Sequence, residues 1–125
     1  MTTGEAGSFE QESFDAVQQA MQIDRVVHEP ARLVILAVLS KVEWADFNFL
    51  LKATGLSRGN LSRQASKLEE ATYIEIEKTF RGKIPQTRYR ITSQGETALH
   101  DYWTQMARLH DNVTGHVARR TPTGG

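Results

Sequence analysis

The stretch DFNFLLKATGLSRGNLSRQASKLEEATYIEIEKTFRGKIPQTRYRI, residues Asp46 to Ile91, decides the fold of this 125-residue chain. Asp46 is an N-cap residue type placed directly before Phe47, Leu50 and Leu51, whose spacing marks one apolar face of a short helix. Gly55 is suited to stop that helix, and Ser57 offers a second N-cap. Leu61, Ala65 and Leu68 then recur at helical spacing, which predicts a second helix over about 58–71 with that stripe buried. Two helices joined by a short Gly-containing turn result.

At about 100° per residue, the face opposite the buried stripe carries Gly59, Arg63 and Ser66, with Asn60, Ser62 and Lys67 on its shoulders. Ser57 and Arg58 stand at its N-terminal end, and Gln64 lies nearer the buried flank. This outward face holds no carboxylate and no large apolar side chain. Asn, Arg and Lys can pair with base edges or phosphates, Ser can donate to phosphate, and Gly59 would let backbone come close to a groove. Beyond the helix, Ile74 and Ile76 alternate with Glu75 and Glu77, as Tyr89 and Ile91 do with Arg88 and Arg90, so two strands are expected within 73–91. Gly82 supplies a turn, and Pro85 is expected to interrupt the ladder and leave a loose basic tip. Lys78, Arg81, Lys83 and Arg88, together with Arg90, are suited to neutralising phosphates.

In this order the elements make a winged helix-turn-helix, and the chain resembles the small stand-alone regulators related to the MarR and ArsR families. The residues that carry the likeness are HEPARLVILAVL from His28, the segment from Asp46 through Phe80, and KIPQTRYRITSQGETAL ending at Leu99. The resemblance implies a homodimer on a pseudo-palindromic operator, with Asn60, Ser62, Arg63 and Lys67 at recognition-helix positions and Arg81 and Lys83 on the wing. One departure is plain: Thr72 stands where such proteins commonly end the recognition helix with Gly. A β-branched residue in a left-handed cap costs on the order of 1 kcal/mol, so an altered helix end is expected.

Charge distribution separates this reading from an ordinary solvated helix face. The chain balances 15 basic against 15 acidic residues. Residues 52–90 nevertheless hold nine Lys and Arg against four Glu, whereas residues 1–51 hold three against eight. Basic charge is therefore concentrated in the segment whose pattern already implies DNA contact. Indiscriminate polyanion binding is disfavoured, because the acidic half would repel any polyanion it faced.

Outside the motif, Pro30 fits the first turn of an almost wholly apolar helix through Ser40, the expected centre of the core. Ser93 and Glu96 read as a capping box opening a helix over 93–114, striped by Leu99, Tyr102, Trp103, Met106, Leu109 and Val113. Such a helix extends roughly 33 Å, more than a core of this size covers. With Phe14, Val17 and Met21 on a weaker N-terminal helix over 10–24, it is expected to build a two-fold dimer interface. The bland alternative is that both helices fold back on their own domain as an extra layer. The expected architecture is mainly α with a small β-hairpin wing (α+β): one winged-helix domain over 9–118, with disordered ends at 1–8 and 119–125.

The chain has no Cys, which excludes disulfides and thiolate metal sites. His28, His100, His110 and His116 include no pair at i, i+3 or i, i+4, and Asp101 and Asp111, each adjacent to a His, should point elsewhere on a helix; no metal site or cofactor is expected. Trp44 reads as packed against the core or a dimer partner rather than stacking on a ligand. No Gly-rich nucleotide loop or nucleophile elbow occurs, so no catalytic residue is assigned. No apolar run reaches the length of a membrane span and no leader is evident, so a cytoplasmic protein is expected. Two functions remain: a homodimeric, sequence-specific regulator of duplex DNA, or a winged-helix module that binds protein. A small-molecule effector stays open, since a cleft for one needs no sequence signature.

Overall fold

The computed structural model describes Gln18 and residues 22–120, with side chains described as far as Thr114. Its elements are α1 (Pro30–Leu39), β1 (Ala45–Asp46), α2 (Phe47–Thr54), α3 (Arg58–Glu70), β2 (Ile74–Arg81), β3 (Ile84–Ile91) and α4 (Ser93–Arg120). Of the expected helix over 10–24 only Gln18 and residues 22–24 are described, and Phe14, Val17 and Met21 lie outside the described residues. The chain forms two compact units, one spanning Asp24–Asp101 and one made of the two ends, Met1–Ile23 with Tyr102–Gly125.

In the Asp24–Asp101 unit, every helix start carries a side chain that satisfies an orphan N–H. Glu29 Oε2 accepts from Arg32 N–H at 2.9 Å ahead of Pro30, and Asp46 Oδ1 accepts from Phe49 N–H at 2.8 Å. Ser57 Oγ accepts from Asn60 N–H at 3.2 Å. Gly55 ends α2 at φ 73°, a left-handed conformation without cost for glycine. The core is α1's Ile35, Leu36 and Leu39, Leu50 of α2, Leu61, Ala65 and Leu68 of α3, and Ile74, Tyr89 and Ile91 of the sheet, joined by Val27. Burial pushes the Tyr89 phenol above its ordinary pKa, and the charge of Glu69 adds to that.

The sheet is antiparallel in the order β1-β3-β2. Strand β1 pairs Ala45 with Tyr89 and Asp46 with Arg88; at two residues it is too short for any periodicity to announce it. The hairpin differs from expectation at its tip. Instead of a loose loop, Arg81 pairs with Ile84 across a two-residue turn, and Pro85 pairs with Phe80 inside the ladder. Gly82 takes φ 67° at the first turn position, which a tight hairpin loop favours. Pro85 is tolerated because β1 ends opposite Arg88, leaving this part of β3 with a partner strand on one side only.

The end of α3 holds the irregular joint. Thr72 is left-handed at φ 67°, the sole non-Gly residue with positive φ among the described residues. The helix end is nevertheless a regular Schellman closure, contrary to the altered end expected: Thr72 N–H donates to Glu69 O at 2.9 Å and Tyr73 N–H to Leu68 O at 3.0 Å. Neighbouring groups hold the strained residue in place. Thr92 Oγ1 donates to Thr72 O at 2.6 Å, Thr92 N–H donates to Tyr73 O at 3.0 Å, and the Tyr73 hydroxyl donates to Asp24 Oδ2. That bond to a carboxylate, with burial and the Asp24 charge, pushes the Tyr73 pKa from its ordinary 10.0 up to about 12. A raised acid pKa means this contribution to stability is complete below the unfolded value and is lost as pH rises through about 12.

The cap of α4 also differs from expectation. Thr92, not Ser93, is the capping residue: its Oγ1 accepts from Gly95 N–H at 3.0 Å, and Ser93 is already the first helical residue. Gly95 is required by close approach, since a Cβ there would collide with the Tyr73 carbonyl oxygen and come within 2.8 Å of Ile91 Cγ1. Helix α4 continues to Arg120, six residues beyond the expected end at 114 and through the first two residues of the expected tail. Of its stripe, Leu99 and Tyr102 are buried, Met106 and Leu109 half-buried, and Trp103 and Val113 are each 50% exposed. Tyr102 and Trp103 meet edge to face at 5.3 Å.

Candidate nucleic-acid interface

Helix α3 buries one stripe and presents the other to solvent. Ser57, Arg58, Gly59, Ser62, Arg63, Ser66 and Lys67 are all exposed, Asn60 is half-buried, and Gln64 is 9% exposed. Position on the helix does not make these residues equivalent. The Ser57 hydroxyl is engaged as the N-cap. The Arg58 guanidinium sits 5.6 Å from the Phe47 ring centroid, so α2 steadies it. At Gly59 a Cβ would meet nothing within 4 Å, so its lack of a side chain serves no internal packing and leaves the first turn of α3 open to an approaching ligand.

Asn60 is the best-anchored residue of this face. Its Oδ1 accepts from Arg63 Nη2 at 3.1 Å and from Gln64 Nε2 at 3.1 Å. Gln64 Oε1 in turn accepts from Arg32 Nη1 at 2.9 Å, and Arg32 Nε donates to Val26 O at 2.6 Å. Sequence reasoning placed Gln64 on the buried flank and passed over Arg32 entirely. A signal for both existed: Arg32 is the sole charged residue of the apolar α1, and Gln64 stands between Leu61 and Leu68 on an otherwise apolar stripe. A buried Gln64 and a half-buried Arg32 among apolar neighbours require partners, and each is the other's.

The wing divides its cations by face. Strand alternation puts Arg88 and Arg90 on the face away from the core, opposite Glu77 and Glu75 in the ladder. Both form ion pairs there, Arg88 with Glu77 at 2.7 Å and Arg90 with Glu75 at 2.8 Å. Their guanidiniums also lie over the Trp44 ring, at 4.1 and 4.8 Å from its centroid. Trp44 is thus packed against arginines on the outer face of the sheet, not against the core as expected. Lys78 lies on the opposite face, in register with Ile74 and Ile76, and Arg81 and Lys83 stand at the tip. All three are exposed and have no ion pair among the described residues. The structure therefore brings the cations of α3 and of the tip to solvent unpaired, and commits Arg88 to internal contacts.

A match to the family model for a winged helix DNA-binding domain covers residues 31–110, from α1 into α4. The chain belongs to the winged-helix DNA-binding domain family. An uncharacterized protein of Methanocaldococcus jannaschii is 31% identical to this winged-helix chain over 90 residues, 71% of this chain and 97% of that protein. Among solved structures, a transcriptional regulator homologue of Pyrococcus horikoshii OT3 is similar with a TM-score of 0.71 at 22% identity, covering 79% of this chain and 97% of that one. A MarR-family transcriptional regulator of Silicibacter pomeroyi is similar with a TM-score of 0.58 at 17% identity, covering 84% and 70%. At those identities the two structures speak to the fold alone, a winged helix.

Among the described residues, no group of three His, Asp or Glu side chains is placed to hold a metal ion. Asp111, expected to point away from His110, comes within 3.4 Å of its Nδ1 in an exposed contact. No helix of the described residues is long and apolar enough to cross a membrane.

Proposed function

We propose that this winged-helix chain is a sequence-specific regulator of transcription that binds duplex DNA in the cytoplasm as a homodimer on a pseudo-palindromic operator. The observation that carries the reading is the exposed face of α3, where Asn60, Ser62, Arg63 and Lys67 present donors with no carboxylate among them, beside a wing whose tip bears unpaired Arg81 and Lys83. The first turn of a recognition helix meets base edges in the major groove, and the wing cations, with Lys78, meet flanking phosphates. The role is one of binding, with no catalytic step. Dimerisation is supported by the apolar stripe of α4, whose Trp103 and Val113 remain half exposed on a helix roughly 42 Å long.

A second reading, a module that binds protein, has one observation in its favour. Phe80 and Ile84 are each 69% exposed at the wing tip. They occupy opposite faces of the hairpin, however, and do not make one anchor patch of the kind a protein interface is built around. Gel shift with mixed genomic fragments across a salt series separates the two. A dimer neutralising about 6 to 10 phosphates gives a slope of log affinity on log salt of roughly −5 to −9. Absence of any competitor-resistant complex at low salt rejects the DNA reading, and sedimentation as a monomer at micromolar concentration rejects the dimer.

A further inference from the structure

We infer that Arg32 and Gln64 form a polarity relay that makes Asn60 a donor-only reader of base edges, so that Asn60 selects guanine or thymine rather than the adenine an unconstrained asparagine pairs with. The inference rests on the DNA-binding reading above and names what one residue of that face would read.

The chemistry follows from the one group in the chain of contacts that cannot reverse. A guanidinium has donors only and stays charged at any working pH. Because Arg32 Nη1 lies 2.9 Å from the Gln64 amide, the Gln64 atom facing it must be the carbonyl oxygen. The other end of that amide, Nε2, must then donate, and the atom it meets at 3.1 Å must be an acceptor, which sets Asn60 Oδ1 inward. Arg63 Nη2, again a donor only, approaches the same oxygen at 3.1 Å. Both lone pairs of Asn60 Oδ1 are thus occupied, while Asn60 Nδ2 has no hydrogen-bond partner among the described residues. Burial of Gln64 keeps water from competing for the relay.

Reading adenine with an asparagine takes a donor for N7 and an acceptor for the N6 amino group. Asn60 retains the first and has lost the second. In the major groove it favours guanine, with acceptors at N7 and O6, or thymine, with O4, and is repelled by the amino group of cytosine. Arg63, which keeps its remaining N–H donors, reinforces the same bias, so the N-terminal turn of α3 reads acceptor-rich edges.

The polarity can be inverted with an isosteric change. In Gln64→Glu the carboxylate still accepts from Arg32 but can no longer donate, so Asn60 turns its amino group inward to the carboxylate and its oxygen outward, and the exposed Arg63 side chain swings off that oxygen. Selection of duplex DNA from a random library, using the full chain and sequencing the bound fraction, reads the result. The native chain enriches guanine or thymine over cytosine at one position of each half-site; Asn60→Ala flattens that position alone; Gln64→Glu moves its preference toward cytosine or adenine by about tenfold. The relay is overturned if Gln64→Glu keeps the native base there, or if Asn60→Ala flattens no position. A native chain that enriches no sequence at all defeats the DNA-binding reading and the relay with it, an outcome distinct from a selective chain whose Gln64→Glu variant reads the same base. Hydrogen exchange in the native chain without DNA serves if the variant does not fold: the buried, bonded Gln64 amide protons should exchange about tenfold more slowly than those of Asn60, and equal rates would overturn the relay.

Discussion

Helix α3 and the outer face of the wing both carry arginine, and they treat it differently. Arg63 on α3 contacts a neutral amide, Asn60 Oδ1 at 3.1 Å, and is otherwise open to solvent with its charge uncompensated. Arg88 and Arg90 face a cross-strand glutamate each and share the ring of Trp44 between them. Taking these two pairs out of the nine basic and four acidic residues of 52–90 leaves seven basic against two acidic, so the surplus of positive charge is unchanged while its location moves. It rests on α2, α3, Lys78 and the wing tip, and not on the strand arginines. A count of charge along a sequence measures the field of a segment; ladder register decides which of its members face a carboxylate.

The largest way to break this contrast is at Arg63. Arg63→Ala should lose about 1 to 3 kcal/mol of discrimination at one half-site position, read by comparing affinities for the four bases there. Uniform loss across all sequences would instead make Arg63 a phosphate contact. At the joint where α3 passes into the wing, Thr72→Gly should stabilise the fold by about 1 kcal/mol in urea unfolding, because the left-handed conformation no longer strains a side chain. A loss of stability would mean that the threonine side chain makes favourable contacts that outweigh the strain. Lys83→Ala is expected to weaken binding to every sequence alike and to lower the magnitude of the salt slope by about 1. The smallest effect belongs to Arg88→Ala, which should leave that slope unchanged and cost the fold less than about 1 kcal/mol, as exposed ion pairs do. If Arg88→Ala lowered the slope as much as Lys83→Ala, the outer face would be part of the DNA surface and the contrast would collapse.

Legibility varied with how local each determinant is. The caps at Asp46 and Ser57, the stop at Gly55 and the buried stripe of Leu61, Ala65 and Leu68 could all be read, because an N-cap bond and a helical repeat involve residues three or four apart. The hairpin could be read from alternation, but not the tightness of its tip. Pro85 signals an interrupted ladder unless β1 is known to be only two residues long. Thr92 as the cap of α4 was hidden by the more conspicuous Ser93 and Glu96, and its role depends on Thr72 and Tyr73 lying against it.

By itself the sequence determined the helix-turn-helix and hairpin order, the outward set on α3 and the concentration of basic charge, since each is a matter of periodicity or composition over a short span. Tertiary structure alone decided which cations stay free and which way Asn60 faces. Those depend on Arg32 meeting Gln64 across 32 positions, and on Arg88 and Arg90 meeting Glu77 and Glu75 in one ladder register. Hydrogen bonds and ion pairs act over a few ångströms, and only the packed fold brings residues that distant in sequence within that range.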